Sequence, residues 1–194
     1  MDKISTIKRN CKSVLKKWPF YKETYKHTIN VVNMCKILYK HYHQMINLDN
    51  SHLFKLLVSA YYHDILKNTG RKYLGSYLTQ NDIALFEDTP TLLHGPAASN
   101  YIFMHFNVCD FEILHSIYYH SVGSTLVICK MLFLADYLAK DNKFEETMIL
   151  RKSFKKKSFD QLFSLIKGSR ISYLIKQNIK PIKLQIDLPK INKN

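Results

Sequence analysis

Leu53-Phe54-Lys55-Leu56-Leu57-Val58-Ser59-Ala60-Tyr61-Tyr62-His63-Asp64-Ile65-Leu66-Lys67 is the stretch from which the fold is read. Leu53, Leu56, Leu57 and Ala60 recur at the three-and-four spacing of a helix, and the same stripe runs on into His63, Asp64 and Lys67. The buried face of this helix therefore ends in an imidazole, a carboxylate and an ammonium group. Burying a carboxylate is costly unless it is paired or coordinates a metal, so His63-Asp64 calls for partners elsewhere in the chain. Taken alone, the dipeptide fits a capping pair more readily than a site.

Apolar residues recur at helical spacing in most other windows, strand-like alternation is rare, and the 194 residues include only 5 Gly and 5 Pro. An all-α fold follows. The hydrophobic share of 46% suffices for a sizeable core, and no linker divides the chain, so residues 1–194 are expected to form one domain. Met1 to Lys17 mixes Lys and Arg with isolated apolar residues, unlike a secretory signal. The richest apolar run, Leu126 to Ala139, is too short to span a bilayer and contains Lys130 and Asp136. A cytoplasmic protein without a membrane partner is expected. Cys11, Cys35, Cys109 and Cys129 form no close pair and read as reduced thiols. The net charge of +14 is uneven, with 12 Lys or Arg against 2 Asp or Glu in residues 151–194 and 17 against 13 before them. Such a tail suits nucleic acid or an anionic surface, but a solvated helix face is the better explanation, and nucleic acid is not the expected partner.

A first helix is predicted over Lys3 to Lys17, ending at Trp18-Pro19. In the next, from about Lys22 to Tyr42, His27 opens the core-facing stripe of Val31, Cys35, Leu38 and Tyr42. His41, His43 and His52 read as surface residues. Asn68-Thr69-Gly70 reads as a helix stop with a left-handed residue, and a short helix is expected from about Ser76 to Phe86. His94 should sit just outside a helix that has Pro96 in its first turn, with His105 a core or boundary residue. Ile113, Ile117 and His120 share a face that ends near Ser121-Val122-Gly123, and His115 lies off it. The last core helix, Leu126 to Ala139, places Asp136 beside Ile128, Leu132 and Ala135. That is a second carboxylate in need of a cation.

Separate helices or helix ends thus deliver His27, His63 with Asp64, His94, His120 and Asp136 to the interior. Imidazole and carboxylate donors without cysteine suit iron, manganese or zinc and argue against a structural zinc knot. Six ligands exceed the needs of one tetrahedral ion, whereas two ions bridged by Asp64 would use them all.

The ordered pattern resembles the HD superfamily of metal-dependent phosphohydrolases. Tyr25-Lys26-His27-Thr28, His63-Asp64-Ile65-Leu66-Lys67, Leu93-His94-Gly95-Pro96, Tyr119-His120 and Phe133-Leu134-Ala135-Asp136-Tyr137 are similar to the YqeK-type family within it. The resemblance runs from about Lys12 to beyond Lys180. It implies a single HD-domain helical fold with the metal site between core helices, a metal-binding core over about 22–140 and basic C-terminal helices over about 145–180. It implies symmetrical hydrolysis of diadenosine tetraphosphate to two ADP, by attack of a metal-bound hydroxide. His27, His63, Asp64, His94, His120 and Asp136 would be ligands to two divalent ions, iron first, with manganese or another transition metal as the alternative. Asp64 and Lys67 would be catalytic, and Lys67, Arg71 and Lys72 would bind the substrate phosphates.

The chain departs from this family at Thr24, where an arginine is expected, at Ser121-Val122-Gly123, where Thr-Thr-Gly is expected, and at Lys140-Asp141-Asn142, in place of Pro-Gly-Arg. None removes a ligand, but each alters a phosphate or loop contact, with Arg71, Lys72, Lys140 and Lys143 the available replacements. The rival readings are an HD phosphohydrolase for another nucleotide and a basic nucleic-acid-binding protein using Arg151, Lys155, Lys156 and Lys157. A homodimer is left open.

Overall fold

The computed structural model describes residues 3–176. Among the described residues ten α-helices follow one another: α1 (Lys3–Leu15), α2 (Tyr21–Tyr42), α3 (Asn50–Tyr62), α4 (Arg71–Gly75), α5 (Gln80–Leu85), α6 (His94–Phe106), α7 (Phe111–Tyr119), α8 (Val127–Tyr137), α9 (Glu145–Ser153) and α10 (Phe159–Lys176). Short 3₁₀ turns occur at Pro90–Leu92 and Phe154–Lys156. Among the described residues there is no strand, and no helix is long and apolar enough to cross a membrane.

The stripes expected from the sequence form the core. Val31, Cys35, Leu38 and Tyr42 of α2, Leu56 and Ala60 of α3, Ile102 of α6, Ile117 of α7 and Ile128, Leu132 and Ala135 of α8 are all fully buried. Helix α3 packs against α2, α7 and α8, α2 also packs against α8, and α6 lies along α7. Helix α10 covers α8, and the hydroxyl of Tyr42 ties α2 to the Phe154 carbonyl at 2.9 Å. Cys11, Cys35 and Cys129 are buried and Cys109 exposed, all as free thiols.

Several boundaries differ from the sequence reading. Helix α3 stops at Tyr62, and Asp64 to Lys67 follow as tight turns in which Ile65 N–H donates to Tyr62 O and Lys67 N–H to Asp64 O. Asn68-Thr69-Gly70 therefore does not end that helix, and it holds no left-handed residue. The helix expected over Ser76 to Phe86 starts only at Gln80, because Thr79 and Asp82 form the capping box that opens α5, and a separate short helix, α4, lies before the expected span. His94 is the first residue of α6, not a residue before it. His105 is exposed, its ring taken up by the Tyr77 hydroxyl at 3.0 Å. His41, His43 and His52 are half-buried: His41 lies edge-on to Tyr42, His43 stacks on Tyr39, and His52 closes the capping box of α3 with Asp49. The basic C-terminal helices expected to about residue 180 appear as α9 and α10, and residues 177–180 lie outside the described range.

Leu132 is fully buried in α8, one turn before Asp136, so its truncation removes packing directly behind the acidic end of that helix. Leu132→Ala is expected to lower unfolding free energy by about 2–5 kcal/mol, read from denaturant midpoints at unchanged slope.

Candidate metal centre

The polar end of each stripe arrives at the same place. His63 is the C-cap of α3 and His120 the C-cap of α7, while His94 begins α6 and His27 lies in the second turn of α2. Close packing of α6 on α7 joins two of them. A Cβ at Gly95 would lie 2.7 Å from the Tyr118 carbonyl oxygen and 3.1 Å from that of Ile117, so only glycine lets His94 approach His120.

Asp64 is the hub. Its carboxylate is 1% exposed, with Oδ2 lying 3.4 Å from His63 Nε2, 3.6 Å from His27 Nε2 and 2.7 Å from Lys67 Nζ. The other oxygen, Oδ1, is 3.2 Å from His94 Nε2 and 3.5 Å from His120 Nε2. Asp136 adds Oδ1 at 2.9 Å from His27 Nε2 and 4.0 Å from His63 Nε2. Donor atoms of His27, His63 and Asp64 form one group compact enough to hold a metal ion, and those of Asp64, His94 and His120 form another. The groups share Asp64 alone.

The protonation of the rings is dictated by their outer partners. His63 Nδ1 lies 2.8 Å from Ala60 O, His94 Nδ1 2.8 Å from Thr91 O, and His120 Nδ1 2.7 Å from Ile117 O. A carbonyl only accepts, so each Nδ1 carries a proton and each ring turns Nε2 inward. The Nε2 atoms of His94 and His120 then face one another at 3.1 Å. His63 Nε2 and Asp64 Oδ1 are buried without a hydrogen-bond partner. Imidazole nitrogens converging on ionised carboxylates are the donors that divalent cations take, so the donor set fits them.

Electrostatics point the same way. Burial works against ionisation of Asp64, but His63, Lys67 and His120 outweigh it and hold its carboxyl well below the usual range. Burial also opposes ionised Asp136, and its hydrogen bond and charge interaction with His27 prevail. For His27, burial lowers the pKa, yet Asp136 and Asp64 together lift it to about 9. The centre draws positive charge.

All six side chains chosen from the sequence as ligands meet here, and Lys67 joins them, its side chain 45% exposed. Arg71, Lys72, Lys140 and Lys143 are exposed and make no described hydrogen bond or ion pair to the cluster. Two neighbours escaped the sequence reading: Asp141, whose Oδ2 is 2.7 Å from His27 Nδ1, and Ser121, whose hydroxyl lies 2.9 Å from His120 Nε2. Asp141 was visible only as a departure from the family pattern. His115, set aside on its spacing, is buried but bonds Ser124 Oγ at 2.8 Å, outside the cluster. Arg151, expected on the rival reading to face nucleic acid, instead donates to the carbonyls of Leu138, Ala139 and Asn142.

No family model matches the chain. A search of solved structures finds a protein of Clostridium acetobutylicum described as a predicted HD superfamily hydrolase involved in NAD metabolism, with a TM-score of 0.71, 20% identity and 88% of each chain covered. The chain has the HD fold. Among curated proteins, the HD-fold chain is 28% identical over 160 residues to the symmetrical bis(5'-nucleosyl)-tetraphosphatase of Halalkalibacterium halodurans, which covers 79% of this chain and 80% of that protein. The resemblance noted from the motifs thus extends over most of the HD-fold chain.

Because the α6–α7 approach at Gly95 has no room for a methyl group, Gly95→Ala is expected to cost about 1–3 kcal/mol in unfolding free energy, measured on chelator-treated protein. It should also weaken metal binding by separating His94 from His120.

Proposed function

We propose that Asp64 bridges two divalent ions, one on the side of His27, His63 and Asp136 and the other on the side of His94 and His120, and that the chain is a phosphohydrolase of dinucleoside polyphosphates. The observation that carries this reading is the division of Asp64, whose Oδ2 faces one pair of imidazoles and Oδ1 the other. The preferred substrate is diadenosine tetraphosphate, cleaved symmetrically to two ADP, in keeping with the activity that names the Halalkalibacterium halodurans relative. A nitrogen and oxygen donor set suits iron, manganese or zinc, and iron first, with manganese or another transition metal as the alternative, follows from the family resemblance. A cytoplasmic location belongs to the same reading.

Bound ions would supply Lewis acidity toward phosphate oxygens and lower the pKa of water at the centre. The protein side chains divide the remaining work. His63, Asp64 and His120 are buried to within 1% and form the floor. His27, Asp136 and Lys67 are 19%, 27% and 45% exposed at the side chain, so the centre opens on their side and the polyphosphate enters there. Lys67 Nζ, anchored 2.7 Å from Asp64 Oδ2, brings a fixed positive charge to that opening, where it binds a phosphate oxygen and offsets charge that grows during cleavage. Burial opposes that ammonium, but Asp64 and Asp136 more than compensate and keep it protonated. Among the described residues no cysteine belongs to the cluster, and Ser121, which lies beside it, is occupied by His120. No protein nucleophile is therefore assigned.

Incubation of the metal-loaded protein with diadenosine tetraphosphate is expected to give ADP as the sole nucleotide product. ATP with AMP would contradict symmetric cleavage, and turnover of a mononucleotide in its place would move the assignment to another HD phosphohydrolase. Lys67→Ala is expected to lower kcat by roughly 10²–10³-fold while leaving metal content unchanged.

A further inference from the structure

Three of the four clustered histidines obtain their outer hydrogen bond from the backbone, and the reason is their position. His63 and His120 cap helices α3 and α7, where the carbonyls of Ala60 and Ile117 belong to the last turn, and His94 begins α6 after the 3₁₀ turn that supplies Thr91 O. His27 has no such resource. It lies inside the 22-residue helix α2, where carbonyls are engaged along the helix, and Thr24 O three residues earlier also accepts from Thr28 Oγ1 at 2.9 Å. Its Nδ1 instead meets Asp141 Oδ2 at 2.7 Å.

Asp141 is held in that place by contacts that point to a built arrangement. Its other oxygen, Oδ1, accepts from Asn30 Nδ2 at 2.9 Å, one turn beyond His27 on α2. The segment carrying it, between α8 and α9, is clamped by Arg151, whose Nε donates to Leu138 O at 2.7 Å and whose Nη2 lies 2.6 Å from Ala139 O and 2.8 Å from Asn142 O. Asn142 Nδ2 closes the segment on Tyr137 O at 3.0 Å. One arginine from α9 thus fixes the backbone on both sides of Asp141, immediately after the helix that brings Asp136.

We infer that Asp141 is the positioning residue for His27, fixing the proton on Nδ1 and aiming Nε2 at the centre, and that Arg151 and Asn30 hold Asp141 in place for this task. The inference rests on the two-ion reading above. A carboxylate on the outer nitrogen does more than a carbonyl does, because its charge makes the inner nitrogen a stronger donor. The His27 side of the centre consequently differs from the His94 and His120 side in electron supply as well as in exposure. Asp141 touches neither ions nor substrate on this account and acts only through His27.

The test is a chelator-competition titration with manganese or ferrous ion on wild type, Asp141→Asn, Asp141→Ala and Arg151→Gln, alongside thermal melts of the chelated proteins. Wild type should bind two ions. Asp141→Ala should weaken one by about 10–100-fold and leave the other within error. Asp141→Asn, which keeps an acceptor for Nδ1–H but no charge, should fall between them, and Arg151→Gln should weaken the same ion. If Asp141→Ala does not fold, the asparagine variant decides by the same titration. Two ions bound with wild-type affinity in the aspartate variants would overturn the role of Asp141 while leaving the metal centre standing. Equal loss of both ions with a lowered melting temperature would mark a merely structural residue and overturn it too. Wild type binding no ion would remove the two-ion reading and this inference together.

Discussion

The carboxylate of Asp64 is the constraint around which the fold is arranged. It is buried beneath four imidazoles and anchored by a single ammonium group, with Asp136 close by. A charge so placed is expensive by several kcal/mol unless neighbours offset it, and removing one partner of a buried pair costs about 3–5 kcal/mol. The surrounding helices are positioned so that their polar ends supply that compensation: α3 and α7 end at the centre, α6 begins there, α8 brings Asp136 near its last turn and α2 passes by with His27. Packing of the apolar stripes therefore also brings the cluster together.

The same geometry explains the division of the centre into two sides. A histidine at a helix end can send Nδ1–H to a carbonyl of its own turn, which costs the fold no additional element and leaves Nε2 inward. His27, inside α2, needs a partner from elsewhere, and Asp141 provides one. The closed, carbonyl-supported side with His94 and His120 lies deep, while the side with His27 and Asp136 lies nearer the surface, next to Lys67.

Much of this was legible in the amino-acid order because core helices announce themselves by period. Val31, Cys35 and Leu38 locate the inner face of α2, and the same spacing projects His27 onto it. Ile113 and Ile117 do the same for His120. What periodicity cannot read is where a turn sends its side chains. Asp141 lies between helices, and its direction is set by carbonyl contacts to Arg151, ten residues later, so neither residue had a pattern to betray its role. Arg151 read as a surface cation for the same reason. The start of α5 at Gln80 was readable in principle from Thr79 and Asp82, a capping pair that a helix beginning at Ser76 passes over. Helix α3 was drawn too long because Ile65 and Leu66 are apolar and buried, although they sit in tight turns.

The central claim, that Asp64 joins two cation sites, is tested most directly by counting metal on protein purified without chelator and reconstituted with ferrous or manganous ion, for wild type and Asp64→Ala. The account predicts about two ions per chain for wild type, in line with the two donor groups that share this residue, and loss of both in the variant. A wild-type chain that takes up no ion, or a variant that keeps both, would contradict it.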